Sequence, residues 1–401
     1  MAFTAGPARA GDNVIFFHPD GAGVNHWTAA RMYSVGPDGV LHWDRLPAIG
    51  VYTGHMTDRL TGTSHGGATV HSRGVKVRAN SFGLDGADPI TVASAKRLSI
   101  AQEALAAGKA VGLVQSGQLA EPGTAAFVSE SKSRGDRDGI AAQVIGSGAQ
   151  VILAGGERYL LPRGVDGRHG PGGRRDGLNL VERAASQGYT VVYTREELLA
   201  LDLGAVDKLL GVFAWEDTFN AQPSQQNIAE GLPHYVATAP RIAEMSAAAL
   251  TILSRNKAGF LAVIEEEGTD NFPNALNAAG ALEALRRADE ALGVMRAFIE
   301  GRDDTLLLTT ADSDAAGLQV YSGRLARAGA TVASATRGGG LLHGQQGPQG
   351  DVFMAQPDAN GVSLPFGVAF IGSDDVAGGV LVRGAAAYKG LSRPVLSLAF
   401  A

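Results

Sequence analysis

The chain has 401 residues, of which 45% are hydrophobic and 18% are charged, a composition typical of a globular protein with a large core. Its net charge is −6 and it contains no basic block, which argues against nucleic acid as a partner. No apolar run is long enough to span a membrane, and the absence of cysteine excludes disulfides and thiolate metal sites.

Predicted strands and helices alternate along the chain. Residues 13–17 (NVIFF) predict a buried strand, and residues 27–33 predict the helix that follows it. Similar pairs recur as far as a last predicted strand at residues 365–371. The alternation predicts an α/β three-layer sandwich, in which a largely parallel central sheet carries helices on both faces. We expect one domain over residues 1–401, with surface insertions near residues 160–176, 215–235 and 320–362.

Two further segments have helical character. Residues 125–134 lie beyond a predicted strand at residues 110–114. Residues 276–299 form a long amphipathic pattern, in which Leu285 and Leu292 share one face. Both segments are predicted to be helices.

The segment TGTSHGGATVHSRGVK (residues 61–76) surrounds Ser64 with small residues, which would let a bulky anion and metal ions approach its hydroxyl group. Ser64 is predicted to begin a helix that ends at Gly74. A serine at a helix N-terminus faces free backbone N–H groups and the positive end of the helix dipole, where a nucleophile attacking phosphorus would be placed. The alternative is an ordinary helix cap, since serine is a preferred capping residue.

Acidic residues follow several of the predicted strands. In an open parallel sheet the carboxyl ends of the strands converge on one edge, where ligands bind. Carboxylates gathered there repel one another unless cations lie between them, and metal pairs about 3.5–4 Å apart are common in phosphoryl transfer. Taken singly, each acid is better explained as a loop charge, and the recurrence of acids in this position is what favours metal binding. The residues that recur in this position are Asp20, Glu121, Glu265, Asp270 and Asp312.

Taken together, these segments resemble the alkaline phosphatase family. DGAGVNHWTAAR is similar to the family's first metal loop, with Asp20 at the position that bridges two metals. TGTSHGGATVHSRGVK is similar to the nucleophile helix, with Ser64 at the phosphorylated serine, which is also a metal ligand. EPGTAAFVSESKSR resembles a segment that would place Glu121 at the magnesium site and Arg134 at the phosphate-clamping arginine.

The resemblance continues, in the family's order, through the second half of the chain. The stretch ending in VIEEEGTD would place Glu265 at the magnesium site and Asp270 at a zinc site. TLLLTTADSDAAG would place Asp312 at the second zinc site, and LLHG would place His343 at a zinc ligand. The resemblance implies an alkaline-phosphatase-like fold across the whole chain.

Four positions depart from the family pattern or lie outside it. Asn274 stands where the family has a histidine four residues after the aspartate, and Ser313 followed by Asp314 stands where it has a histidine. Gly123 replaces a metal-binding threonine. His65, beside the nucleophile, has no counterpart. It is explained either as a replacement ligand, for which His18 is the other candidate, or as a histidine on the helix surface.

Loss of two of three expected imidazoles leaves mainly oxygen donors, which suit magnesium, calcium or manganese better than an ordinary zinc pair. We therefore expect divalent metal ions as cofactors, magnesium first, with zinc, manganese or calcium as alternatives. The proposed first site would offer Asp270, Asn274 and His343. The proposed second site would offer Asp20, Asp312, Ser64 and one of Ser313 and Asp314.

The expected function is hydrolysis of phosphate monoesters through a phosphoserine at this multi-metal site. A phosphodiesterase or a sulfatase remains an alternative, since related folds host both. A degenerate family member that only binds phosphate or metal is a further alternative, because two of the expected histidines are missing. The resemblance also implies a homodimer.

The N-terminus suggests an exported protein. Ala8-Arg9-Ala10 precedes Gly11 in the small-residue pattern that signal peptidases favour, although the residues before it are too few for a complete signal. We expect a periplasmic or secreted protein whose leader was replaced by a start methionine. An ordinary chain terminus explains the same residues equally well.

Overall fold

The structure is a computed structural model that describes residues 13–322, 345–347, 350–372 and 380–388. The predicted ligand His343 lies outside the described residues. The strands of the described part are β1 (Asn13–Pro19), β2 (Ala48–Tyr52), β3 (Ala110–Gln118), β4 (Val151–Gly155), β5 (Thr190–Val192), β6 (Leu209–Val212), β7 (Phe260–Glu266), β8 (Asp304–Thr309), β9 (Gln319–Ser322), β10 (Gln345–Gly347), β11 (Gly350–Met354), β12 (Pro365–Ala369) and β13 (Val380–Tyr388).

The α-helices of the same part alternate with these strands through most of the chain. They are α1 (Val24–Ser34), α2 (Ser64–Arg73), α3 (Ile100–Ala106), α4 (Pro122–Ala125), α5 (Arg137–Gly146), α6 (Leu180–Ser186), α7 (Arg195–Leu199), α8 (Ser224–Glu230), α9 (Ile242–Leu253), α10 (Gly268–Asn274) and α11 (Ala278–Ile299). Within the described ranges, no helix is long and apolar enough to cross a membrane.

The larger sheet has the strand order β2-β13-β8-β1-β7-β3-β4-β6-β5. Strand β1 pairs in parallel with β7 on one side and β8 on the other, with Phe17 opposite Ile264 and Thr309. Strand β13 is antiparallel to both of its neighbours. The largely parallel sheet predicted from the sequence is therefore confirmed, and its register aligns the carboxyl ends of β8, β1 and β7.

The two faces of the sheet bury separate apolar clusters. Alternate residues of β1 point to opposite faces, so Ile15 and Phe17 join one cluster, while the partly buried Phe16 packs against the other. Helices α9 and α11 contribute to the first cluster, including the predicted face of Leu285 and Leu292. Helices α5 and α6 contribute to the second. The three-layer arrangement is thus the one expected.

The structure differs from the sequence prediction at two segments. The helix predicted at residues 125–134 is not formed, since α4 ends at Ala125. The chain turns after α4, and the Ser131 N–H donates to the Phe82 carbonyl oxygen at 3.0 Å. Strand β12, near the predicted last strand, belongs to a second, antiparallel sheet of order β10-β11-β12-β9. Strand β13, which the sequence analysis did not predict, completes the main sheet instead.

We expect Leu292→Ala to lower the free energy of unfolding by about 2–5 kcal/mol, because the Leu292 side chain is fully buried between α11 and the sheet and its removal leaves a cavity. Leu199→Ala is the matched control, since Leu199 is 54% exposed and its truncation should cost less than about 0.5 kcal/mol. Urea unfolding of both variants measures the difference. Equal losses would contradict the predicted packing of α11.

Candidate active site

Three neighbouring strands deliver acidic side chains to one edge of the sheet. Asp20 follows β1, Asp312 follows β8 and Glu265 lies at the end of β7. All three are almost completely buried. The backbone N–H of Asp20 donates to the Glu266 carbonyl oxygen at 3.1 Å, which ties the end of β1 to β7. Parallel pairing of the strands therefore brings together acids that are far apart in the sequence.

One group of ligand atoms consists of carboxylates alone. Asp20, Glu267 and Asp270 each offer an oxygen within 4.8 Å of the others. Burial, and after it the charges of neighbouring carboxylates, raises the pKa of Asp20 and of Glu267 well above the usual range. Both oxygens of Asp20 and Oε2 of Glu267 lack a hydrogen-bond partner. Buried oxygens of this kind fit a divalent cation.

A second group surrounds His18, which with His65 was one of the two candidates to replace a missing imidazole ligand. His18 Nδ1 lies 3.2 Å from Glu265 Oε1, and Nε2 lies 3.3 Å from Asp20 Oδ1 and 3.7 Å from Asp312 Oδ1. Burial alone would lower the pKa of His18, but the neighbouring carboxylates of Asp312 and Glu265 outweigh it and raise the pKa to about 9. His18 has 0% exposure, so the ring is enclosed by these acids.

Ser64 is the first residue of α2, whose first turn approaches Asp312 at Gly67. The helix is capped by Thr63, whose Oγ1 accepts from the Gly66 N–H at 3.2 Å, so Ser64 is not the capping residue. A Cβ on Gly67 would lie 2.3 Å from Cβ of Asp312. Glycine at this position therefore lets the first turn of α2 approach the acidic edge of the sheet.

Arg134 lies on the loop after α4 and pairs with Glu121. Arg134 Nη2 donates to Glu121 Oε2 at 2.9 Å, and Arg137 Nη2 lies 3.4 Å from Oε1 of the same carboxylate. Burial lowers the pKa of Arg134, but Glu121 and then Glu267 outweigh it and hold the pKa above its usual value. Arg134 therefore lies within the field of the carboxylate cluster. Glu121 contacts arginines and belongs to neither group of ligand atoms among the described residues.

The positions that depart from the family pattern lie around the same edge. Asn274 Nδ2 donates to both oxygens of Asp270, at 3.1 and 3.0 Å, while its own Oδ1 is buried without a partner. Ser313 Oγ is also buried without a partner. Asp314 lies instead beside α1, with Oδ1 3.3 Å from His26 Nδ1. Burial, and then Arg134, lowers the pKa of His65 to about 4, so its ring is neutral at pH 7.

One residue of the site, Glu267, was missed from the sequence. His18 was named there only as a candidate replacement for a missing imidazole, and the structure places it on β1, two residues before Asp20. Glu267 is one of three successive glutamates, and no local pattern separates them. Glu266 is bound by the hydroxyls of Ser116 and Tyr235, at 2.7 and 2.9 Å.

We expect Gly123→Ala to reduce the metal bound by the purified protein, because a Cβ there would lie 1.6 Å from Glu265 Oε1 and would displace that carboxylate from His18. Loss of a partner that orients a metal ligand typically weakens metal binding about 10–100-fold. Gly146→Ala, at the end of α5, is the control, since its Cβ would meet only the flexible end of Arg183. Elemental analysis and chelator competition measure the effect. Unchanged affinity in Gly123→Ala would show that Glu265 has no part in metal binding.

Comparison with known proteins identifies relatives of modest sequence identity. The chain is 28% identical over 368 residues to the alkaline phosphatase of Escherichia fergusonii, over 82% of this chain and 75% of that protein. It is 30% identical over 339 residues to the tissue-nonspecific alkaline phosphatase of Rattus norvegicus, over 75% of this chain but only 62% of that protein. The chain thus spans less than two thirds of the rat relative.

The fold is similar to that of the alkaline phosphatase from the Antarctic bacterium TAB5, in a histidine-to-glutamate variant solved with magnesium bound. The TM-score is 0.69 at 18% identity, over 94% of this chain and 92% of that one. The family model for alkaline phosphatase matches residues 11–339, which is most of the sequence. The chain belongs to the alkaline phosphatase family.

Proposed function

We propose that this hydrolase cleaves phosphate monoesters by forming a phosphoserine on Ser64 at a centre of divalent metal ions. Its family and its relatives support phosphomonoester hydrolysis. The observation that carries the proposal is the position of Ser64, at the start of α2 and beside an edge of the sheet where buried carboxylate oxygens have no partners. A hydroxyl there meets the positive end of the helix dipole and the charge of any bound cation.

The reaction would take place in two displacements at phosphorus. Oγ of Ser64 attacks, the bond to the leaving alcohol breaks, and a phosphoserine forms; water then attacks the phosphoserine and releases inorganic phosphate. Divalent ions supply Lewis-acid stabilisation of the oxygens and lower the pKa of bound water. The dipole of α2 stabilises the anion that forms at its N-terminus.

Arg134 is proposed to hold the phosphoryl group. Its side chain is 41% exposed and pairs with Glu121 through one nitrogen, which leaves other guanidinium N–H groups free to donate. A guanidinium can bind two non-bridging oxygens in a bidentate fork. Glu121 then keeps the arginine in position when phosphate is absent.

The residues proposed to hold the metals are those that the resemblance implies, together with one that the structure adds. One ion would be held by Asp270, Asn274 and His343, and a second by Asp20, Asp312 and Ser64. A third would be held by Glu121 and Glu265. Glu267 adds a carboxylate to the group of Asp20 and Asp270.

We propose magnesium, manganese or calcium for the group of Asp20, Glu267 and Asp270, because its donors are all oxygens and hard cations prefer oxygen. Zinc remains the alternative for sites with nitrogen donors. The family resemblance also leads us to propose that the protein forms a homodimer. We propose further that it is periplasmic or secreted. Gel filtration and cell fractionation would test those two points.

The other functions considered are less well supported. The relatives matched over most of the chain are named alkaline phosphatases, which does not favour a phosphodiesterase or a sulfatase. A protein that only binds phosphate would not need a nucleophile, yet Ser64, Arg134 and the acids are all present. We therefore retain phosphomonoester hydrolysis.

We expect Ser64→Ala to lower kcat for an aryl phosphate by several orders of magnitude, because the two-step path through a covalent intermediate is lost. Acid-quenched wild-type enzyme should contain phosphate on the Ser64 peptide, and the variant should contain none. Ser72→Ala, on the same helix with its hydroxyl bound to the Thr69 carbonyl oxygen, is the control. Near wild-type turnover in Ser64→Ala would point to direct attack by water.

We expect Arg134→Lys to raise KM for an aryl phosphate and to weaken inhibition by inorganic phosphate about tenfold, since lysine cannot form the bidentate fork. Arg175→Lys, in an exposed loop, should leave both quantities unchanged. Steady-state kinetics with phosphate as a competitive inhibitor makes the comparison. If the two variants behave alike, Arg134 does not contact the phosphoryl group.

A further inference from the structure

The imidazole of His18 offers a nitrogen donor close to the position at which this chain lacks the histidine ligand of the family pattern. Ser313, beside Asp312, stands where the sequence resemblance leads us to expect a histidine ligand. His18 lies on β1 two residues before Asp20, and its ring reaches the space between Asp20 and Asp312. The ring is therefore within reach of any ion that these two carboxylates share.

The hydrogen bond of the other ring nitrogen determines which nitrogen can bind a metal. Nδ1 lies 3.2 Å from Glu265 Oε1, with hydrogen-bond geometry. A histidine that donates its Nδ1–H to a carboxylate keeps the lone pair on Nε2, and metal-bound histidines commonly have such a partner. Glu265 thus orients the ring and, when the ring is neutral, favours the tautomer whose proton lies on Nδ1.

The surroundings of Nε2 resemble those of a metal ligand. Nε2 lies 3.3 Å from Asp20 Oδ1 and 3.7 Å from Asp312 Oδ1, yet it has no hydrogen-bond partner, and neither do those two oxygens. Ligands about 2.0–2.2 Å from a tetrahedral ion lie about 3.4 Å from one another. Both distances from Nε2 are close to the spacing of ligands around one ion, and all three residues are at most 1% exposed.

The glycine at position 123 is part of the same arrangement. A Cβ on Gly123 would lie 1.6 Å from Glu265 Oε1, so the Glu265 carboxylate occupies space that any larger residue would fill. The position of the Glu265 carboxylate beside His18 thus depends on Gly123, which replaces the threonine expected from the resemblance.

We infer that His18 Nε2 binds the metal ion shared by Asp20 and Asp312, replacing the imidazole lost at Ser313, with Glu265 as the positioning residue for its ring. This inference rests on the proposed metal centre beside Ser64. It makes that site one of mixed nitrogen and oxygen donors, which suits zinc, cobalt or manganese better than magnesium or calcium.

The test is cadmium NMR of the full chain, produced with 15N-labelled histidine and loaded with Cd²⁺ alone. A direct bond from histidine nitrogen to cadmium splits the metal resonance. We expect His18→Gln to remove one split resonance and to weaken binding of one Cd²⁺ ion at least about tenfold. His55→Gln is the control, because His55 is exposed and its ring contacts Lys76, and it should change neither result.

Because His18 is buried, His18→Gln could prevent folding, and a second variant then tests the inference. In His343→Asn, which removes the other proposed histidine ligand, a split resonance should remain and should shift when Glu265→Gln is added. Absence of any split resonance in His343→Asn, or an unchanged spectrum in folded His18→Gln, would overturn the inference by showing that His18 forms only ion pairs. Turnover of an aryl phosphate by wild-type enzyme tests the proposed function separately, since the spectra need no substrate.

Discussion

The buried carboxylates at one edge of the main sheet impose the constraint that the rest of the site satisfies. Asp20, Asp312 and Glu267 are each less than 3% exposed, and both oxygens of the two aspartates and Oε2 of Glu267 lack hydrogen-bond partners. Burial and mutual repulsion raise the pKa of Asp20 and of Glu267 far above the usual range, so the ionised cluster is costly without cations. A fold that gathers these groups is therefore stabilised by whatever positive charge it binds.

Positive charge approaches this edge from several directions. His18 lies within the sheet, between the acids, and Arg134 reaches the cluster from the loop after α4. The N-terminus of α2 approaches from a third side, and glycine at position 67 allows that approach because any side chain would collide with Asp312. Packing, charge and the position of the proposed nucleophile Ser64 are thus linked at this edge of the sheet.

Not every acid near this edge has the same role. Oε1 of Glu266 accepts from two hydroxyls and from the Gly268 N–H, so that oxygen is used within the fold. Asp314 lies beside His26 on α1, although only one residue separates it from Asp312 in the sequence. Acids that are neighbours in the sequence therefore have different partners at this edge of the sheet.

The sequence by itself determined the fold class, the family, and the strand ends at which Asp20 and Asp312 would appear. Those features depend on local periodicity and on motifs whose order can be read directly along the sequence. Only the tertiary structure decided that His18 joins the acids, that Glu267 rather than Glu266 faces them, and that residues 125–134 turn instead of forming a helix. These outcomes depend on the pairing of β1 with β7 and β8 and on the hydrogen bond between Ser131 and Phe82. The sequence does not reveal such contacts, because they join residues that are distant along the chain.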